Sequence, residues 1–159
     1  MKEKILEVLA NLGFKTEAAD EMGYVFEYEG MRLLYIPNDD DEDFLVIALP
    51  GFYDYDEEKI GPYVALSEKL NSTLKYVKAY TIANSMWLFY ERELFGGENL
   101  EEIISRMVLR LEAGLMVARD TIKEMEASFD NDNDANGDDT ADGNITGPTD
   151  GDSTVDDNK

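Results

Sequence analysis

The chain has 159 residues, of which 14 are basic and 36 acidic, giving a formal net charge of -22, and it contains neither cysteine nor histidine. Those two absences exclude disulfides, thiolate nucleophiles, imidazole bases and Cys/His zinc sites. The negative field repels phosphate backbones, so neither nucleic acid nor anionic membrane is expected as a partner.

The opening segment, Met1-Lys2-Glu3-Lys4-Ile5-Leu6-Glu7, mixes both signs of charge and lacks the apolar run of a signal peptide. No run along the chain reaches transmembrane length, so a soluble cytoplasmic protein is the expectation. Residues 2–12 place Ile5, Val8 or Leu9, and Leu12 at helical spacing, and Gly13 follows as a C-cap. Phe14 to Ala19 is predicted as a strand and Asp20 to Gly23 as a turn. Tyr24, Phe26 and Tyr28 then form one aromatic face at period two, and Gly30 permits the reversal into a strand from Met31 to Ile36.

Pro37 ends that strand. Asn38 to Asp43 is a nearly continuous acidic run that must face water. Phe44 to Leu49 is apolar throughout and predicts a central strand, closed by Pro50-Gly51. The next helix carries Ile60, Tyr63, Ser67 and Leu70 along one side, widened by Val64 and Leu66. Pro62 has no amide hydrogen to donate, which places a turn over Asp56 to Ile60 and Pro62 at or near the first regular helical position.

Leu74 to Tyr80 and Met86 to Glu91 alternate as strands, and the short polar segment between them predicts an antiparallel hairpin. Phe95 is expected to pack back under the sheet before Gly96-Gly97. Asn99 and Glu102 have capping-box spacing, and apolar residues recur from Leu100 to Met125 as one long helix. Val108, Leu109, Met116 and Val117 widen its apolar arc beyond a narrow stripe. The excess either covers more of its own sheet or meets a second subunit. From residue 130 to 159 the chain holds ten aspartates against one lysine, which predicts a disordered acidic tail after a single domain spanning 1–129.

The order α-β-β-β-(β)-α-β-β-α predicts an α+β domain with a predominantly antiparallel sheet packed by helices, without the repeated βαβ units of a doubly wound fold. Phe44-Leu-Val-Ile-Ala-Leu49, Leu66-Ser-Glu-Lys-Leu-Asn71, Lys75-Tyr-Val-Lys-Ala-Tyr80 and the Leu100–Met125 helix carry a resemblance over nearly all of residues 1–127. The arrangement resembles the YbjN-like family and, more distantly, the type III secretion chaperone fold. The resemblance implies a nonenzymatic protein, often dimeric in the chaperone branch, that binds a peptide or partner protein along its sheet or helical surface.

Carboxylates are the abundant reactive groups. Asp39, Asp40, Asp41, Glu42 and Asp43 have oxygen ligands suited to a hard cation, but a solvated loop explains the same run. Asp54, Asp56, Glu57 and Glu58 sit where they would cap or stabilise a helix start. In the tail, Asp132, Asp134, Asn136 and Gly137 match the first half of a calcium loop. The pattern then fails, with Asp139 at its packing position and Gly143 where the bidentate glutamate belongs.

Gly96-Gly97 lacks the lysine and hydroxyl of a phosphate loop. Asn71-Ser72-Thr73 and Asn144-Ile145-Thr146 match glycosylation acceptors, which matter only in a secretory compartment. Ser67 and Ser85 have no histidine to activate them. The aromatic groups Tyr24/Phe26/Tyr28 and Trp87/Phe89 fit a sheet core as well as a partner surface. Arg106 and Arg110 lie one turn apart with Glu102 before them, and Arg119 and Lys123 repeat the spacing; this basic stripe suits an acidic peptide, the chain's own tail included.

No catalytic, cofactor or metal residues are assigned. The function read from the sequence is a protein-binding or chaperone-like module of unknown protein or peptide partner, with a homodimer as one form. A calcium-responsive acidic protein and an enzyme using carboxylates stand as alternatives.

Overall fold

The structure, a computed structural model, describes residues 1–134, and of residue 59 and residues 129–134 the backbone only. Three helices, α1 (Lys2–Asn11), α2 (Ile60–Thr73) and α3 (Leu100–Asp134), accompany six strands: β1 (Glu17–Ala19), β2 (Gly23–Tyr28), β3 (Met31–Ile36), β4 (Phe44–Asp54), β5 (Val77–Ile82) and β6 (Ser85–Glu93). The strands form one sheet in the order β1-β2-β3-β4-β6-β5, and every neighbouring pair is antiparallel. The expected α+β architecture is therefore present, with four strands preceding α2.

Local chemistry sets most boundaries. At the end of α1 the Gly13 amide donates to the Ala10 carbonyl at 2.9 Å and the Phe14 amide to the Leu9 carbonyl at 3.0 Å, while Gly13 has φ +87. This pairing satisfies the last helical carbonyls and needs a left-handed residue at the turn. At the start of β2, Gly23 has φ +133 and a Cβ there would lie 2.1 Å from the Tyr35 carbonyl oxygen, so only glycine lets β2 approach β3. Asn99 caps α3, its side-chain oxygen accepting from the Glu102 amide at 3.2 Å.

The two faces of the sheet differ. Phe26, Leu33, Tyr35, Ile47, Met86 and Leu88 face the helices and join Ile5 and Leu9 of α1, Leu66 and Leu70 of α2, and Ile104, Met107 and Leu111 of α3 in one continuous core. Close approach of α3 is permitted by Gly114, where a Cβ would stand 3.2 Å from a Leu88 methyl. On the opposite face Leu34, Ala48 and Phe89 are also buried but lie outside that helix-packed core, screened by half-buried neighbours that include Val25, Val46 and Trp87.

Several expectations change. The strand predicted from Phe14 begins only at Glu17, and Phe14 packs instead on Phe26 and Tyr28, with ring centroids 5.1 and 6.2 Å apart. Pro50-Gly51 does not close β4. The strand runs on to Asp54 through a register shift between Leu49 and Tyr53, where a proline needs no ladder donor and Gly51 takes φ +59. The strand predicted over Leu74–Tyr80 starts at Val77 and presents Val77 and Ala79 to the core, leaving Tyr76 and Tyr80 exposed. Phe95 is 80% exposed, and Leu94 is buried in its place. The Leu94 amide donates to the Asp43 carbonyl at 2.7 Å, which turns Leu94 inward and Phe95 out.

Candidate functional site

The placement of α2 generates the site. Its approach is fixed by Asp56, whose carboxylate accepts from the Glu58 amide at 3.0 Å in a short 3₁₀ turn over Glu57–Lys59. Pro62 is the third residue of α2, still inside the first turn where no amide donor is needed. Tyr63, Leu66 and Leu70 face the core, and the Tyr63 ring meets Tyr53 and Tyr55 at centroid distances of 5.4 and 4.6 Å.

On the adjoining flank, two polar side chains one turn apart reach the edge strand. Asn71 donates from Nδ2 to the Ala79 carbonyl at 2.9 Å and accepts the Ala79 amide at 2.8 Å. Ser67 donates to the same carbonyl at 3.0 Å. These bonds occupy backbone groups on the outer side of β5, which an uncovered edge would leave open to strand addition. They also lay α2 alongside β5 with one flank outward.

That flank is apolar. Ile60 is 56% and Val64 57% exposed, and Tyr80 and Ile82 on β5 are 39% and 37% exposed. Ile60 and Val64, both expected to face inward, are therefore surface residues. Together with Tyr55, Tyr63, Tyr80 and Thr81 they line an open groove of about 450 Å³. Four of the nine exposed large apolar side chains among the described residues gather at this edge. Tyr80 extends it across the far face of the sheet: its ring stacks on Phe89 at 4.2 Å, and Phe89 stacks on Trp87 at 5.8 Å. Burial, with the nearby Glu91 carboxylate, pushes the Tyr80 phenol above its ordinary value.

The groove is built for contact. Glu68 is its one carboxylate, and its one aliphatic hydroxyl near the helix, Ser67, is engaged with the Ala79 carbonyl. Ser85 is likewise engaged, accepting from the Trp87 indole N–H at 2.9 Å.

The other sequence candidates fall elsewhere. Residues 38–43 are all exposed, and among the described residues no group of three or more acidic side chains is placed to hold a metal ion. Tyr24, Phe26 and Tyr28 belong to the helix-side core, whereas Trp87 and Phe89 lie on the far face. Gly96 and Gly97 form a turn with φ +84 and +83. Arg106 pairs with Glu102 at 2.5 Å, the i,i+4 bridge expected from the sequence, and Lys123 lies 4.0 Å from Asp120.

On α3 the wide apolar arc is mostly spent on the core. Leu100, Ile104, Met107, Val108, Leu111, Leu115 and Ala118 are buried, and only Leu109 (52%) and Met116 (60%) stand out among its exposed large apolar residues. The larger unshielded cluster is at α2 and β5. Its sequence signal was the Ser67/Asn71 pair at i,i+4, two hydrogen-bonding side chains on one flank of an otherwise apolar helix. The backbone of α3 continues to Asp134, so Asp132 and Asp134 fall on its closing turn. The remainder of the incomplete calcium pattern, Asn136 to Gly143, and residues 135–159 of the acidic tail expected from residue 130, with the acceptor at Asn144, lie outside the described residues.

No helix among the described residues is long and apolar enough to cross a membrane. No protein-family model matches the chain, and none of the curated proteins does. Several solved chains are similar to it, the following two among them. One is YbjN from E. coli, described as a proposed transcription regulator, with 12% identity and a TM-score of 0.59 over 77% of this chain and 92% of that one. The other is an uncharacterized protein from Methanothermobacter thermautotrophicus, with 19% identity and a TM-score of 0.55 over 78% of this chain and 97% of that one. Neither is described as a secretion chaperone. The six-stranded antiparallel sheet with its three helices is the YbjN-like fold, and at these identities the likeness is one of architecture alone.

Proposed function

We propose that the chain is a nonenzymatic protein-binding module that engages a protein or peptide partner along the α2–β5 groove. The observation that carries this reading is the clustering of Ile60, Val64, Tyr80 and Ile82 at one sheet edge. Contiguous apolar surface rimmed by polar groups is unfavourable in water and marks sites that a partner covers. Ile60 and Val64 are each about half exposed, so covering them contributes about 1 kcal/mol apiece at the usual value per apolar side chain. Their joint loss weakens association by roughly thirtyfold.

YbjN is described as a proposed transcription regulator. A regulatory role reached through protein contact fits this chain better than direct contact with DNA, because a formal charge of -22 opposes the approach of phosphates. The test is site-specific photo-crosslinking in cells from position 64 of the full chain, with position 29 on the β2–β3 turn as control. A discrete adduct formed from position 64, absent from position 29 and lost on Ile60→Lys, supports the reading. Equal labelling from both positions, or none from either, overturns it.

A further inference from the structure

Three of the chain's five arginines, Arg92, Arg106 and Arg110, line one cleft of about 500 Å³ where the N-terminal half of α3 passes the start of β5 and the end of β6. In a molecule with 36 acidic residues this is a local reversal of sign. The wall of the cleft is aromatic: Tyr76 is 66% exposed, stacks on Tyr90 with centroids 5.9 Å apart and planes at 9°, and lies 5.8 Å from the Arg110 guanidinium. Tyr76 holds φ +68, a conformation that bulky residues rarely adopt. That conformation keeps the ring out of the core and beside Arg110.

The three guanidiniums are not equivalent. Arg92 lies 3.6 Å from Glu98, whose carboxyl is held below the ordinary range by the Phe95 amide and other backbone donors, with Arg92 a smaller contributor. Arg106 is paired with Glu102, but both side chains are more than half exposed, and exposed pairs of this kind exchange partners at little cost. Arg110 has the Tyr76 ring as its contact, and among the described residues it forms no salt bridge. An incoming carboxylate thus meets one guanidinium without a carboxylate partner and a second that can turn toward it, with a ring beside them for a flat apolar group.

We infer that this cleft is a recognition site for a short acidic segment of a partner protein, one that presents a carboxylate to Arg110 and Arg106 and an apolar or aromatic side chain to Tyr76. Shortness follows from the charge outside the cleft: a longer polyanion, nucleic acid included, runs onto acidic surface. The site is separate from the α2–β5 groove and does not depend on it.

The test measures fluorescence anisotropy of the full chain with a labelled short peptide of alternating glutamate and phenylalanine, against a lysine and phenylalanine peptide of equal length. The acidic probe should bind at about 50 mM salt and be largely released at about 500 mM. Arg106→Gln with Arg110→Gln should weaken it roughly tenfold and Tyr76→Ala about threefold, with Arg119→Gln unchanged and circular dichroism preserved in every variant. Equal binding of both peptides, insensitivity to the paired arginine change, or tighter binding of a labelled DNA duplex overturns the inference. So does a roughly tenfold gain in probe affinity when Asp150, Asp152, Asp156 and Asp157 are all changed to asparagine, which would assign the cleft to the chain's own acidic segment.

Discussion

The side-chain amide of Asn71 forms two hydrogen bonds with the backbone of Ala79, donating to its carbonyl at 2.9 Å and accepting from its amide at 2.8 Å. An asparagine on a helix thereby acts as one rung of an additional strand beside β5. Each such bond contributes about 1 kcal/mol, so Asn71→Ala should lower stability to urea by about 2 kcal/mol. Asn71→Asp keeps the acceptor but sets a carboxylate oxygen against the Ala79 carbonyl, and should be at least as damaging. Faster hydrogen exchange at the Ala79 amide would report the loss locally.

Two glycines with positive φ should respond differently to alanine. A Cβ at Gly23 would stand 2.1 Å from the Tyr35 carbonyl oxygen, whereas at Gly30 nothing lies within 4 Å. Gly30→Ala should cost about 1 kcal/mol, from backbone conformation alone. Gly23→Ala must also part β2 from β3 and should cost more than about 3 kcal/mol; urea midpoints of the two variants give the comparison.

Positions on the two flanks of α2 make opposite predictions. Leu66 is fully buried, and Leu66→Ala should cost about 2–5 kcal/mol through the cavity it leaves. Val64 is 57% exposed, and Val64→Lys should change stability by no more than about 0.5 kcal/mol. A large loss for Val64→Lys in thermal or urea unfolding would mean that the outward flank is misplaced.

Tyr35 gives the fold an alkaline limit. Its phenol is pushed up to about 12, first by burial and then by Glu3, Tyr24 and Asp39. The folded chain therefore holds the phenolic proton more tightly than the unfolded chain does. Stability is full below the ordinary tyrosine value of about 10 and falls as pH rises from there toward 12. Tyrosinate absorbance should show a late-titrating group at about 12 that Tyr35→Phe removes, and the same change should flatten the alkaline loss.

Features set by neighbours in sequence were legible from sequence. The Gly13 C-cap, the Asn99 cap and the β5–β6 hairpin each depend on a few adjacent residues, and all three are present. Where two arrangements bury similar amounts of apolar surface, the pattern does not choose between them. Around β5, Tyr76 and Tyr80 compete with Val77 and Ala79 for the inward face, and the tether from Asn71 to Ala79 together with the passage of Gly114 over Leu88 and Val77 selects the second pair. On α2 the apolar residues cover more than one face, so Ile60 and Val64 could be placed outside only once Ser67 and Asn71 were seen to grip β5. The arginine cleft brings Arg92 on β6 to Arg106 and Arg110 on α3, a juxtaposition that linear spacing does not contain.

The strand order β1-β2-β3-β4-β6-β5 has a kinetic consequence. The first four strands are neighbours in both chain and sheet, and β5 with β6 closes through a short turn, so each group can assemble from nearby segments. Their junction is the β4–β6 ladder, which pairs Phe44 with Glu93 and Asp54 with Ser85 across the whole α2 excursion. Closing that loop is the entropically slow event of folding, and the ladder's central amides should be the last to exchange with solvent.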